Sequence, residues 1–217
     1  MSLILAISCY TTACSVAVAK SGKTLAVKVL RISQGHAEIV ITMIELVLAD
    51  AGCNFTELDA VAAMVGPGSF TGIRIGLAAA KGIALAIGTR TVPIDSITAI
   101  AHSAGNSNIP LLVALDNKNG NLACQWFANN GRPIGELCLR TAAEAVSLSP
   151  TISFRVAGNA SETIILAAIE AKKTAYIVER CDVPDIRSIA ILATDRLAIG
   201  ADGPLRPVYL RPPVSLN

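Results

Sequence analysis

One segment of the sequence combines glycine, hydroxyl and arginine residues at a spacing that could hold an anion. It reads Gly-Pro-Gly-Ser-Phe-Thr-Gly-Ile-Arg over residues 66–74, between a strand-like apolar run and a helix-like run. Backbone N–H groups and the helix dipole at such a junction favour a negatively charged group. The candidate residues are Gly66, Gly68, Ser69, Thr71, Gly72 and Arg74.

Three interpretations of this loop stay open at the level of sequence: an anion contact, a dinucleotide site and a structural turn. It is not a Walker A loop, because no Gly-Lys-Ser/Thr follows at the required spacing. The three glycines, with Asp95 after the next strand, imitate a dinucleotide-binding fingerprint, but Pro67 removes one backbone donor. We favour a tight strand-to-helix turn in which Ser69 or Thr71 caps the helix and Gly72 allows close packing.

The sequence offers no other arrangement typical of catalysis or of metal binding. Neither His36 nor His102 has a second histidine three or four residues away, so motifs of the HxxxH and HExxH types are absent. No nucleophile-elbow spacing surrounds Ser69, which disfavours a triad with His102 and Asp95. Asp116 follows a strand-like run, where turn capping is more common than metal binding. We therefore expect no catalytic residue, no metal and no cofactor.

Two helix-like segments carry more apolar surface than a single sheet needs. In the first, Glu38, Thr42 and Glu45 form a narrow polar stripe, and apolar residues occupy most of the remaining circumference. In the second, Arg74 and Lys81 stand among small residues that allow another helix to approach closely. We predict a helix–helix contact with a partner, although the second half of the chain could cover the same surface. The predicted contact residues are Ile39, Val40, Met43, Ile44, Val47, Ile75, Ala79 and Ile83.

The order of apolar runs and turns indicates an α/β protein with two similar halves. Strand-like and helix-like runs follow one another as βββαβα over residues 3–87, and the same order returns over residues 111–171. Residues 105–110 are small and polar, as expected of a boundary. We therefore predict duplicated βββαβα units, with an N-terminal lobe over residues 1–104 and a C-terminal lobe over residues 105–217.

Composition narrows the class of protein further. The 217 residues are 53% hydrophobic and only 16% charged, which excludes a disordered chain and leaves apolar surface for a partner. The net charge of +2 includes no basic block, so tight independent binding to nucleic acid is not expected. The six cysteines form no CxxC pair, which favours reduced thiols. No uninterrupted apolar run reaches the roughly 20 residues of a membrane span, and we expect a soluble cytoplasmic protein.

Several segments together resemble one bacterial family. The most specific is the run Gly-Pro-Gly-Ser-Phe-Thr-Gly-x-Arg-x-Gly. The matching segments are residues 4–7, 14–17, His36 before an apolar helix, 66–76 with 81–82, 114–116 and 207–212. In these residues the chain resembles TsaB (YeaZ-like) proteins, the accessory proteins of tRNA threonylcarbamoyladenosine biosynthesis.

The resemblance implies a two-lobed fold of the actin, sugar kinase and heat-shock chaperone ATPase type, which is ribonuclease H-like. It also implies a non-catalytic scaffold that forms a heterodimer with TsaD, the related subunit that transfers the threonylcarbamoyl group to tRNA. A TsaE-type ATPase would join the assembly, and tRNA would be bound only through the complex. Whether the isolated chain forms a homodimer through the same helices stays open.

Two positions bear on a rival interpretation, an ATP-dependent phosphotransferase or a peptidase of the same fold. TsaD carries an HxxxH metal motif, whereas Val40 stands four residues after His36 in this chain. The family usually has Asp-Thr after the first strand, where this chain has Ser8 and Cys9. In active members of the fold a carboxylate there helps to position the metal ion of the nucleotide. The resemblance therefore favours an accessory subunit over an enzyme.

Overall fold

The chain alternates strands and helices throughout, and the computed structural model describes residues 2–10, 12–117 and 120–210. The strands are β1 (Leu3–Tyr10), β2 (Ala13–Lys20), β3 (Lys23–Leu30), β4 (Ala60–Gly66), β5 (Arg90–Asp95), β6 (Leu111–Asp116), β7 (Leu122–Phe127), β8 (Pro133–Arg140), β9 (Ser153–Ala157) and β10 (Thr174–Ile177). The helices are α1 (His36–Ala51), α2 (Phe70–Ile87), α3 (Ser96–Ala104), α4 (Ala142–Ser147), α5 (Ser161–Glu170) and α6 (Ile186–Ala198). A short 3-10 turn, Phe55–Glu57, follows α1.

These elements form two units that are not consecutive in the chain. The first combines residues 1–99 with residues 184–208. The second holds residues 100–183 and, among the described residues near the C-terminus, Tyr209 and Leu210. The chain therefore leaves the first unit, builds the second and then returns to add α6 to the first.

The first unit is built on a five-stranded mixed sheet in the order β3-β2-β1-β4-β5. β1, β2 and β3 are antiparallel neighbours, whereas β4 and β5 run parallel to β1. The residues of β1 and β4 are buried throughout, as their nearly continuous apolar sequences require. The sheet thus needs a helical layer on each face.

Helices supply both layers. Leu5 and Ile7 of β1 share a core with α1 and α2. Because successive side chains of a strand point to opposite faces, Ile4 and Ala6 face the other layer. Helix α6 packs against this second face of β1 and against β2 and β5. The predicted C-terminal lobe, residues 105–217, includes α6. In the structure α6 instead packs on the sheet of the first unit, which the order of segments along the chain does not reveal.

The second unit repeats the same plan. Its sheet has the order β10-β9-β6-β7-β8, which, read from β8, matches the first sheet strand for strand. α4 and α5 cover one face, and their core contains Trp126 and Phe154, whose rings meet edge to face at 5.0 Å. The indole N–H of Trp126 donates to the carbonyl of Ala145 at 3.1 Å. The predicted α/β architecture with duplicated βββαβα units is confirmed, while the lobe boundary between residues 104 and 105 stays a prediction.

Candidate functional site: a glycine loop and an apolar groove

The glycine loop joins β4 to α2 in the first unit. Ser69 is the N-cap residue of α2, and its side-chain oxygen accepts a hydrogen bond from the N–H of Gly72 at 3.3 Å. The N–H of Ile73 donates to the carbonyl of Ser69 at 2.9 Å, so two donors of the first turn are already used. This geometry supports the capped turn, with Ser69 rather than Thr71 as the cap.

Close approach explains the glycines of the loop. A Cβ on Gly72 would overlap the carbonyl oxygen of Cys9, and one on Gly68 would lie 2.7 Å from the ring of Tyr10. A Cβ on Gly66 would lie 2.8 Å from an isoleucine methyl group. The loop and the start of α2 therefore rest directly on the end of β1, and packing accounts for all three glycines.

Arg74 lies on the exposed side of the first turns of α2. Its guanidinium carbon is 3.6 Å from the centre of the Phe70 ring, a cation–π contact between two exposed side chains. Thr71 is exposed as well. An anion contact at Arg74 and the loop stays a prediction.

The positions that correspond to catalytic features of the resembled fold are buried and hydrogen-bonded. The Nε2 atom of His36 must carry its proton, because it lies 3.1 Å from the carbonyl oxygen of Tyr10, which can only accept. Ser8 is 1% exposed, and its hydroxyl donates to the sulfur of Met64 at 3.7 Å. Within residues 2–10, 12–117 and 120–210, no three His, Cys, Asp or Glu side chains are grouped so as to hold a metal ion. His36 and Ser8 thus have structural partners in the first unit.

Half of the predicted contact residues lie in the core of the first unit. Val40, Ile44 and Val47 are at most 2% exposed, and Met43 is 8% exposed. They pack against the sheet, so a carboxylate at Val40 or Met43 would disrupt the fold as well as any contact. We therefore correct the predicted contact set by removing these four residues. The other four predicted residues, Ile39, Ile75, Ala79 and Ile83, are half-buried at the margin of this core.

An apolar groove of about 470 Å³ lies between α1, the 3-10 turn and α2. Ala78, Gly82 and Ala86 recur every four residues along α2, so they share one helix face and leave room above it. Among the described residues, no charged side chain lines the groove, and Ile41 contributes a side chain that is 45% exposed. The lining residues are Ile41, Phe55, Ala78, Ala79, Gly82, Ile83, Ala86 and Ile87.

Only two of these lining residues, Ala79 and Ile83, were among the contact residues predicted from the sequence. Phe55 was missed because it lies in a 3-10 turn that the apolar pattern did not predict. Ile41 was missed because its neighbours on α1 are almost all apolar. The four-residue spacing of small residues on α2 was the signal that would have located the groove.

Charges flank the groove on both helices. On α1, Glu38 and Glu45 lie three residues before and four residues after Ile41, so all three share one face, and both glutamates are exposed. On α2, Arg74 lies four residues before Ala78 and Lys81 three residues after it, so these three also share one face, and both cations are exposed. The groove is therefore an apolar strip with an acidic margin on one helix and a basic margin on the other.

The sequence and the fold are similar to those of known proteins. A family model described as "TsaD: tRNA N6-adenosine threonylcarbamoyltransferase" matches residues 30–158, more than half of the chain. The chain belongs to the TsaD family. Among curated TsaD-family relatives, the tRNA threonylcarbamoyladenosine biosynthesis protein TsaB of Haemophilus influenzae is 37% identical over 101 residues, which are 46% of this chain and 42% of that protein. The chain spans about half the length of the curated relatives it matches.

Solved structures extend the comparison to the whole chain. YeaZ from Pseudomonas aeruginosa superposes with a TM-score of 0.83 at 25% identity, covering 97% of this chain and 100% of that one. A ROK hexokinase from Thermus thermophilus has a TM-score of 0.53 at 12% identity over 91% of this chain and 99% of that one, a likeness that shows the fold alone. The resemblance to TsaB (YeaZ-like) proteins and the two-lobed actin and sugar kinase fold are thus confirmed. Residues 211 and 212 of the C-terminal motif lie outside the described residues.

Helix α2 also bears on the predicted location of this TsaD-family member. It is long and apolar enough, by length and composition alone, to cross a membrane, and 33% of it is buried. One such helix is weak evidence, because a helix that packs on its own sheet has the same composition. The cytoplasmic location stays a prediction.

Proposed function

We propose that the chain is an accessory subunit of tRNA threonylcarbamoyladenosine biosynthesis that binds a TsaD-type transferase through the groove between α1 and α2. The observation that carries the proposal is the exposed, uncharged lining of this groove, with Ile41 and the small residues of α2 open to solvent. Covering such an apolar strip with a complementary apolar helix releases water from it, which contributes favourably to the free energy of binding. The names of the TsaB relatives support the pathway.

The same groove suggests how the partner is oriented. A related subunit of the same fold would present an equivalent pair of helices, and small residues on α2 allow backbones to approach closely. Charges at the rim of an interface contribute more to orientation and to the rate of association than to affinity. The acidic margin at Glu38 and Glu45 and the basic margin at Arg74 and Lys81 would therefore select one alignment of the partner's helices.

Carboxylates placed in the groove are expected to abolish binding without unfolding the chain. The variant Ile41→Glu with Ala86→Glu puts two charges on exposed lining positions. Each would lose its hydration in the contact, which predicts an affinity for the TsaD-type protein of the same organism that is lower by about 100-fold or more. Isothermal calorimetry or co-purification measures the change, and thermal melting checks the fold.

The matched control is Ile152→Glu with Leu166→Glu. These side chains are 73% and 65% exposed in the second unit, and they do not line the groove. The control carries the same change of charge and should bind like the unmodified chain. Equal binding by both double variants would contradict docking at this groove. The mass of the unmodified chain alone shows whether it self-associates.

The role we propose is non-catalytic. Its support is the buried, hydrogen-bonded state of Ser8 and His36, which leaves neither side chain exposed at the end of β1. Calorimetry of the isolated chain with ATP and magnesium tests this point, and tight binding would favour the phosphotransferase alternative. Recruitment of a TsaE-type ATPase, and contact with tRNA only through the complex, belong to the same proposal and are tested by adding each component to the purified pair.

A further inference from the structure

Cys124 and Cys138 stand opposite one another on β7 and β8 of the second unit. Opposed residues of an antiparallel pair share one face, with Cα atoms about 4.5 or 5.5 Å apart. A disulfide usually spans about 4.4–6.8 Å between Cα atoms. The Cys138 thiol also lies 3.9 Å from the carbonyl oxygen of Cys124, to which it donates. The backbone therefore already places the two residues at a separation that a disulfide can bridge.

The two thiols differ in exposure and in electrostatic surroundings. Cys138 is half-buried on β8, an edge strand, and the Nε–H of Arg140 donates to its sulfur at 3.0 Å. Peroxides react with the thiolate form of cysteine, and the Arg140 side chain already lies in place to donate to the Cys138 sulfur when that sulfur reacts. Cys124 is 2% exposed, and burial raises its pKa to about 12. Cys138 is therefore the thiol that an oxidant reaches first, and Cys124 is a protected second thiol.

We propose that Cys138 is a peroxide-reactive thiol that forms a disulfide with Cys124 when the chain is oxidised. The Cys138 thiolate attacks one oxygen of hydrogen peroxide, the O–O bond breaks, and a sulfenic acid forms as hydroxide leaves. The Cys124 sulfur then attacks the sulfenic sulfur, and its thiol proton leaves with the oxygen as water. In total the two thiols lose two electrons and two protons, and the peroxide is reduced to two waters.

Three other cysteines act as internal references. Cys9 and Cys14 are also opposed across two strands, with sulfurs 3.7 Å apart, but they are 1% and 0% exposed in the core of the first unit. Cys53 is half-buried like Cys138, but burial and the nearby negative charge of Glu57 raise its pKa. Cys9 and Cys14 therefore have a suitable separation but no access to solvent, whereas Cys53 has access to solvent but lies near a negative charge.

A peroxide time course on the reduced full-length chain tests the proposal. Samples are denatured, alkylated and digested with trypsin before mass spectrometry. Both cysteines fall within residues 119–140, because trypsin does not cleave the Arg132–Pro133 bond. We expect this peptide to lose two hydrogens and both alkylation sites, while the peptides that carry Cys9, Cys14 and Cys53 remain alkylated.

Variants separate the two steps. With Cys124→Ser, oxidation should stop at a sulfenic acid on Cys138 that a dimedone probe traps. With Cys138→Ser, Cys124 should remain reduced, because peroxide does not reach it. Arg140→Gln should slow the oxidation of Cys138 by about threefold to tenfold, and Arg140→Lys, which keeps a cation, should restore most of the rate.

Two results would overturn the proposal. The first is oxidation of Cys138 no faster than that of Cys53, which would mean that the Arg140 contact does not activate the thiol. The second is a disulfide that forms between Cys9 and Cys14 before Cys124 and Cys138 are linked, since strand register rather than access would then control the reaction.

Discussion

Replacing Gly158 by alanine is expected to lower the free energy of unfolding by about 3–5 kcal/mol. Gly158 has a φ of 103°, a region that L side chains rarely adopt. A Cβ there would overlap the carbonyl oxygen of Ala114 in β6 and lie 3.0 Å from its carbonyl carbon. The same oxygen accepts a hydrogen bond from the N–H of Ala160 at 3.2 Å, so the backbone cannot shift without losing that bond. Urea denaturation measures the change.

Gly135→Ala is the matched control, because it adds a Cβ at a residue with positive φ but without a steric clash. Gly135 also lies in the second unit with a φ of 70°, but no atom lies within 4 Å of the place that a Cβ would take there. Its replacement should lower the free energy of unfolding by only about 1 kcal/mol, which is the cost of the left-handed backbone alone. If the two variants were equally stable, overlap with Ala114 would not be the reason for glycine at position 158.

Gly72→Ala is expected to lower the free energy of unfolding by about 2–4 kcal/mol. Its Cβ would overlap the carbonyl oxygen of Cys9 and lie 3.3 Å from the carbonyl carbon. Both clashes are with backbone, so no side chain can rotate away, and α2 would have to lift from β1. Lifting α2 would also disturb the groove, because Ala78, Ala79 and Gly82 belong to this helix. Thermal and urea denaturation measure the loss.

Gly82→Ala, in the same helix, should instead raise the free energy of unfolding. Nothing lies within 4 Å of a Cβ at this exposed position in the interior of α2. Alanine has the higher helix propensity, and we expect a gain of about 0.5–1 kcal/mol. A loss of stability in Gly82→Ala, or none in Gly72→Ala, would contradict the packing of α2 described above. Because Gly82 lines the groove, this variant should bind the partner less tightly even as it becomes more stable.

Local patterns were sufficient to predict most helices and strands. The apolar run before Gly52 predicts a helix, and α1 ends there with Gly52 in the left-handed conformation, as a helix C-terminus favours. The paired apolar runs around each turn predict the antiparallel strands of both sheets. By contrast, the packing of α6 depends on residues far apart in the chain. The small side chain of Ala6 allows α6 to pack closely on β1, but no local sequence pattern predicts that these two segments are in contact.

The docking surface could be predicted only in part, because α1 is apolar on most sides. Val40, Ile44 and Val47 lie on the face towards the sheet, whereas Ile41 lies on the face towards the groove. All four are β-branched apolar residues, so neither their type nor their periodicity distinguishes the two faces. The polar stripe at Glu38 and Glu45 was the informative feature, since it borders the groove.

The return of the chain to the first unit has a consequence for biosynthesis. A ribosome completes residues 100–183 before it makes α6. Until α6 emerges, the nascent N-terminal sheet lacks the helix that shields Ile4 and Ala6 from water. Residues 100–183, which form most of the second unit, are contiguous and are available early, whereas the sheet of the first unit must wait until α6 has been translated. Termination of translation after residue 183 would therefore leave one apolar face of the first sheet exposed, and we expect such a truncated chain to aggregate rather than to fold.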